Sequence, residues 1–167
     1  MMPALAVVIL SLAGLIALLS ALNFLSYGVL KTRILRRQKW DLNICSGKTD
    51  GGGINADIFK HADVPRFVLV GSVNRLPFKD RAFDSVLCSH TMEHVEDPDA
   101  FFAELRRIGR RITIVLPPLW DVSAVLNVLE HQWIFLTFRK THDRLPARVR
   151  LPLARTVQRK LGQRLHA

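Results

Sequence analysis

From Pro3 to about Leu25 the chain reads PALAVVILSLAGLIALLSALNFL, an apolar run broken only by small hydroxyl residues and Asn23. A helix rises about 1.5 Å per residue, so roughly 20 such residues cross a hydrocarbon core of about 30 Å. The run therefore predicts one retained transmembrane helix. A secretory signal fits poorly, because it needs a positive start, a shorter apolar stretch and a small-x-small cleavage site. Here the first 30 residues carry no charged side chain, and the basic residues come afterwards. Tyr27 falls where an interfacial aromatic belongs. Lys31, Arg33, Arg36, Arg37 and Lys39 follow the run, and no basic residue precedes it. That asymmetry predicts a single-pass protein with residues 31–167 on the cytoplasmic side. Cys45 and Cys88 are then expected as reduced thiols.

The formal charge of +10 over 167 residues suggests a nucleic-acid binder until its placement is examined. Residues 31–40 hold five basic groups and no acid, and residues 143–167 hold seven basic groups against Asp143. The stretch between, 41–142, has 12 basic and 13 acidic groups. The part able to form a binding domain is nearly neutral, which excludes nucleic acid as a partner and leaves anionic lipid beside the two basic flanks.

The expected organisation is a transmembrane helix over 1–30, a basic juxtamembrane linker over 31–39, a globular domain over 40–142 and a basic amphipathic tail over 143–167. Within the domain, strands are predicted at Trp40–Cys45, Ile54–Ile58, Phe67–Gly71, Phe83–Ser89 and Arg111–Leu116. A helix opened by Asp97 or Asp99 with Pro98 runs to Ile108, with Phe101, Phe102, Leu105 and Ile108 at helical spacing. Continuous apolar strands linked by helical crossovers predict an α/β fold with a Rossmann-like, mostly parallel sheet. Asp121–Phe138 is expected to be helical, packed on the sheet or dipping into the bilayer surface. In the tail, Leu153, Val157, Leu161 and Leu165 lie four apart, with Arg155, Arg159, Lys160 and Arg164 elsewhere on the turn. That pattern suits either a helix in an anionic lipid interface or one docked on the domain.

One stretch carries specific chemistry. Leu76-Pro77-Phe78-Lys79-Asp80-Arg81-Ala82-Phe83-Asp84-Ser85-Val86 continues to Met92-Glu93-His94-Val95-Glu96-Asp97-Pro98 and then into Phe102–Arg107. This resembles the class I S-adenosylmethionine-dependent methyltransferases of the type 11 group, whose pattern is LPF-x-D-x-x-FD-x-V followed by EHV-x-DP and an amphipathic helix. The resemblance covers residues 40–118. It implies S-adenosylmethionine as cofactor and a methyl acceptor as substrate. A carboxylate at the end of the second strand can accept both ribose hydroxyls, which points to Asp57. The loop after the first strand, Cys45-Ser46-Gly47, would approach the amino-acid end of the cofactor. The resemblance places Ser72 and Val73 beside the adenine, and His90 with Thr91 near the methionine portion. No catalytic base is assigned, since the cofactor carries the reactivity.

The sequence also departs from the family pattern. Cys45 stands in place of the first loop glycine, and Ser72 in place of an acid near the adenine. Only nine residues, Cys45 to Gly53, join the first two strands, fewer than the dozen or so of an ordinary parallel crossover. Ile108-Gly109-Arg110-Arg111 replaces a proline-glycine-glycine turn, and no sixth and seventh strands are legible after Pro118. The expected function is a membrane-anchored methyltransferase acting on a small or lipophilic acceptor. The alternative is an inactive, membrane-tethered binding module of the same fold. A nicotinamide domain is disfavoured by the missing G-x-G-x-x-G. His90-Thr91-Met92-Glu93-His94 spells H-x-x-E-H. A strand before it and a helix start at Pro98 leave no room for a long helix there, and Glu130 and His131 are third ligands by type alone. No metal is expected.

Overall fold

The computed structural model describes residues 4–161. One continuous helix, α1 (Ala4–Leu35), carries the apolar run and is long and apolar enough to cross a membrane. Its apolar side chains are bare: Leu5, Val8 and Leu10 are among those pointing into open space. The Phe24–Lys31 stretch is π-wound, and the last turn returns to α geometry at Thr32–Leu35. There Ile34 and Leu35 pack on Trp40, Leu87 and Val115, while Trp40 Nε1 donates to the Leu35 carbonyl at 3.1 Å. The helix thereby runs into the domain, with its end against one face of the sheet.

Six strands form that sheet, in the order β3-β2-β1-β4-β5-β7. They are β1 (Leu42–Ile44), β2 (Ile54–Asp57), β3 (Phe67–Leu69), β4 (Phe83–Ser89), β5 (Gly109–Val115) and β7 (Thr141–His142). The first five are mutually parallel, and β7 pairs antiparallel with β5. The order reverses between β1 and β4, so the carboxyl ends of these two strands form the crevice where open α/β sheets take their ligands. The Rossmann-like α/β architecture is as the apolar runs predict.

Side chains of alternate strand residues build the main core. Leu42, Ile44, Ala56, Val86, Cys88 and Ile114 lie beneath α2 (Pro98–Ile108) and its Phe101, Leu105 and Ile108. Asp97 caps α2, its Oδ1 accepting from the Asp99 and Ala100 amides, and Pro98 opens the first turn.

Only the β4–β5 crossover is helical among those joining the parallel strands. The nine-residue β1–β2 link folds back over the sheet face opposite α2, where Asn43 and Asn55 stand buried. Asn55 Oδ1 accepts from the Gly51 amide at 2.9 Å and from Asn43 Nδ2 at 3.1 Å. Asn55 Nδ2 donates to Asp50 and to the Pro65 carbonyl, and Asn43 Nδ2 also donates to the Thr49 carbonyl. Two asparagines thus satisfy the loop backbone that a crossover helix would have satisfied within itself. The loop passes so close that a Cβ on Gly53 would lie 2.2 Å from the Trp40 carbonyl oxygen.

The region after Pro118 differs from the sequence expectation. The helix predicted over Asp121–Phe138 shrinks to α3 (Val122–Val125), and three strands follow: β6 (Trp133–Phe135), β7 and β8 (Arg148–Arg150). A short run apolar on every face does not distinguish helix from strand, and Trp133-Ile134-Phe135 has the aromatic and β-branched character of a strand. β6 pairs antiparallel with β8, and the Arg148 and Arg150 guanidiniums sit over the Trp133 ring. The tail forms α4 (Ala154–Leu161). Gln158 Nε2 donates to the His131 and Val128 carbonyls, and Arg155 pairs with Glu96, so α4 docks on the domain. Arg164 and Leu165 lie outside the described residues.

Candidate cofactor crevice and helix-side cavity

The parallel strands bring most of the residues singled out from sequence to one sheet edge. Cys45, Ser46 and Gly47 follow β1, Asp57 ends β2, Ser72 and Val73 follow β3, and His90 follows β4. Asp57 joins two of these segments: its Oδ2 accepts from the Gly47 amide at 2.8 Å and its Oδ1 from the Ile58 amide at 2.7 Å. Cys45 has φ 53° and Gly47 φ 55°. Cys45 therefore adopts the left-handed backbone that a glycine takes without penalty, and the turn is preserved although the residue is not. Ser46 Oγ and Ser89 Oγ are buried without a hydrogen-bond partner at the ends of β1 and β4. A Cβ built on Gly47 or Gly71 meets no atom within 4 Å. Orphaned hydroxyls and open space on both sides of Asp57 fit a polar ligand lying across the crevice.

The other candidates behave differently. Val73 is fully buried in the main core, and Ser72 Oγ accepts from the Asn74 amide in a local turn. Burial first, then the Asp57 charge, pushes the Cys45 thiol well above its ordinary range. The Cys88 thiol is raised by burial too. Both cysteines are free, Cys45 half-buried and Cys88 buried, and a raised pKa disfavours the nucleophilic thiolate at each.

His90 is the hinge to a second cluster that sequence did not assemble. Its side chain is 7% exposed, and its Nδ1 lies 3.2 Å from Glu93 Oε1, off the line of a hydrogen bond. On its other side Nε2 stands 2.9 Å from Lys140 Nζ, which also donates to Ser26 Oγ at 2.7 Å. Tyr27 packs on the imidazole with centroids 4.8 Å apart. Burial lowers the His90 pKa and brings Lys140 down to about 8. Burial of Glu93 acts to raise its carboxyl, but His90, His94 and His131 around it hold it down at about 2. Lys140 carried no sequence signal, because nothing in FRKTH distinguishes it from the arginine beside it.

The Glu93-His94-Val95 motif is held by the segment His131-Gln132-Trp133. The Glu93 carbonyl accepts from the Gln132 and Trp133 amides, at 2.7 and 3.2 Å. Gln132 Nε2 donates to the His94 carbonyl and Trp133 Nε1 to the Val95 carbonyl. Between this clamp and α1 lies a cavity of about 830 Å3. Leu19, Phe24 and Tyr27 wall it on the helix side, and His90, His94 and His131 on the domain side. Of the residues named from sequence for the cofactor, His90 alone reaches this cavity, so crevice and cavity meet at that imidazole.

Comparison with known proteins matches residues 54–114 to the family model described as "Methyltransferase domain". No curated protein matches the sequence. Similar solved structures include a Haloferax volcanii methyltransferase in complex with the Trm112 activator, at 15% identity over 59% of this chain and 55% of that one, TM-score 0.42. A SAM-dependent methyltransferase from Thermotoga maritima aligns at 17% identity over 57% of this chain and 60% of that one, TM-score 0.40. The PH0226 protein of Pyrococcus horikoshii aligns at 15% identity over 85% and 80%, TM-score 0.43. The chain spans little more than half the length of the first two. The LPF…EHV-x-DP motif lies inside the matched segment, so residues 54–114 are similar to the methyltransferase-domain family, whose cofactor is S-adenosylmethionine.

Proposed function

We propose that this chain is a membrane-anchored methyltransferase whose acceptor is a lipophilic molecule entering the cavity between α1 and the domain. The observation that carries the reading is the composition of that cavity. One wall is a helix suited to hydrocarbon, and the other holds the imidazole that closes the cofactor crevice. If residues 4–25 lie in a bilayer, Leu19 and Phe24 stand at or below its surface, and an acceptor can arrive laterally without crossing water. Val122, Leu126 and Leu129 are exposed beside this helix, in keeping with a segment that rests on the interface. Cytoplasmic orientation follows from the five basic residues after α1.

S-adenosylmethionine, when bound, supplies an electrophilic methyl group on a sulfonium. Gly47 and Ser46 would hold its amino-acid end and Asp57 its ribose hydroxyls, with Ser72 beside the adenine, while Val73 supports that loop from within the core. The chain's work is then alignment of acceptor and methyl carbon, with water kept out by α1 and Tyr27. A second reading, a binding module without turnover, draws on Asp57, whose two oxygens are already engaged by backbone amides.

Two measurements on the full chain in lipid vesicles test both readings. Methyl-labelled S-adenosylmethionine, incubated with the protein and a total membrane-lipid extract, should leave label in the organic phase. Calorimetry with the demethylated cofactor should show binding that Asp57→Ala weakens by about 1–3 kcal/mol. Binding without transfer to any acceptor would favour the inert module. Binding that Asp57→Ala leaves unchanged would overturn the crevice assignment.

A further inference from the structure

The cavity wall contains a group of side chains that methyl transfer does not use. Glu93, His94 and His131 each offer a donor atom, and these atoms all lie within 4.8 Å of one another. Glu93 is fully buried, yet neither carboxylate oxygen has a hydrogen-bond partner, and His131 Nδ1 is likewise buried without one. His90 Nδ1 faces one of these carboxylate oxygens at 3.2 Å but off the hydrogen-bond line, so a buried carboxylate is left without an aligned donor, which is costly. The third donor is prepared differently. His94 Nδ1 donates to the Glu130 carbonyl at 3.0 Å, so in the neutral ring the lone pair is on Nε2. An imidazole oriented through its other nitrogen by a backbone carbonyl is the usual support of a metal-bound histidine.

We propose that Glu93, His94 and His131 bind one zinc ion at the floor of the cavity. The backbone contacts that clamp residues 93–95 onto 131–133 hold all three ligands on two stapled loops. Gln158 of α4 fixes the His131 carbonyl from behind. Zinc takes nitrogen and carboxylate ligands at about 2.0–2.2 Å, so tetrahedral donors stand roughly 3.3 Å apart. The donor atoms now stand within 4.8 Å of one another, so the site contracts when the ion binds. Both histidines line the cavity, which leaves the fourth position open toward an entering acceptor, as in zinc sites with three protein ligands. The H-x-x-E-H reading fails in its details, because residues 90–94 form turns rather than a helix, and His90 is occupied by Lys140. Its Glu93 and His94 nevertheless take part, with His131 as the ligand that sequence offered only by type. The proposal replaces the expectation of no metal and does not depend on methyl transfer.

The test uses the full chain in detergent, stripped with a chelator and titrated with zinc chloride alone. One zinc per chain is expected, with Glu93→Gln and His131→Gln each weakening binding by at least ~10-fold. His61→Gln, on an exposed loop, should leave it unchanged. Equal affinity in all three variants, or no zinc bound by the folded native chain, overturns the site. Should either ligand variant fail to fold, cobalt on the native chain decides. An intense visible spectrum of low-coordinate cobalt supports the proposal, and the weak spectrum of hexa-aquo cobalt overturns it.

Discussion

At the scale of single residues, the first loop shows which substitutions a backbone tolerates. Gly53 and Gly47 both lie between β1 and β2, Gly47 being named from sequence for the cofactor loop and Gly53 only as the end of the crossover. The structure separates them. A Cβ on Gly53 would lie 2.2 and 2.5 Å from the carbonyl oxygens of Trp40 and Asp41, rigid backbone that cannot yield. Gly47→Ala meets no atom within 4 Å and carries only the penalty of its positive φ, about 1–2 kcal/mol. Gly53→Ala should therefore abolish a trypsin-resistant domain, whereas Gly47→Ala should keep it with a lowered melting temperature. Equal behaviour of the two would show that the loop does not lie against β1. The same contrast marks the limit of reading a site from sequence. Asp57 and Cys45-Ser46-Gly47 can be nominated from sequence, because the chemistry of a ribose and of tight turns restricts the residue type. Lys140 and His131 cannot, because they reach the site only through folding of distant segments, and their types are common on any surface.

At the scale of elements, the motif that resembles the family pattern is largely architectural. Arg107 of α2 donates to the Leu76 and Phe78 carbonyls and pairs with Asp80 and Glu104. Glu104 Oε1 also accepts from the Leu76 amide at 2.7 Å. LPF-x-D is the segment that Arg107 and Glu104 tie down, and Phe78 meets Phe83 edge to face, so its spacing is set by packing against α2. Arg107, and then the Leu76 amide, hold the Glu104 carboxyl below its ordinary 4.5. A depressed carboxyl contributes stability above its unfolded pKa and loses it as pH falls through the folded one. Glu104→Gln should thus lower the melting temperature near neutral pH and flatten the decline below about pH 4.5; an unchanged acid limb would count against the tie. The strands were legible from apolar runs and the α2 start from Asp97-Pro98. The helix-free first crossover follows from its nine residues, but what replaces the helix does not. Asn55 makes four hydrogen bonds there, to Gly51, Asn43, Asp50 and Pro65. Asn55→Ala strands buried partners and should destabilise the domain by about 2–4 kcal/mol in urea unfolding. A loss below about 1 kcal/mol, the size of a single ordinary hydrogen bond, would mean that water serves the loop instead.

At the scale of the whole molecule, function depends on whether helix and domain form one body. The polar residues of α1 that touch the domain are few and spaced along one side of its C-terminal half. Asn23 Nδ2 donates to Asp121 Oδ1 at 3.1 Å, Ser26 accepts from Lys140, and Tyr27 lies on His90. The π-wound stretch Phe24–Lys31 shifts the phase of the helix at this point, and such stretches recur where a helix must aim side chains at a site. Sequence gave the helix its length and apolar character but could not fix its rotation, since Asn23 reads as a lone polar interruption until Asp121 is known to face it. If these contacts hold in a membrane, a cysteine pair at positions 23 and 121 should be joined by a short bismaleimide. A pair at positions 12 and 121 should not. The native thiols are expected to react more slowly than the introduced pair, because burial raises the pKa of Cys45 and Cys88. A protease site inserted beside His61, in an exposed loop, makes the link visible: after cleavage the two fragments run together on a denaturing gel only if the bridge has formed. Bridging at position 23 well above that at position 12 would establish the helix as a fixed wall of the cavity. Equal and low bridging would mean that the helix swings free, and a reaction at the bilayer surface would then need another source for the wall that Leu19, Phe24 and Tyr27 supply.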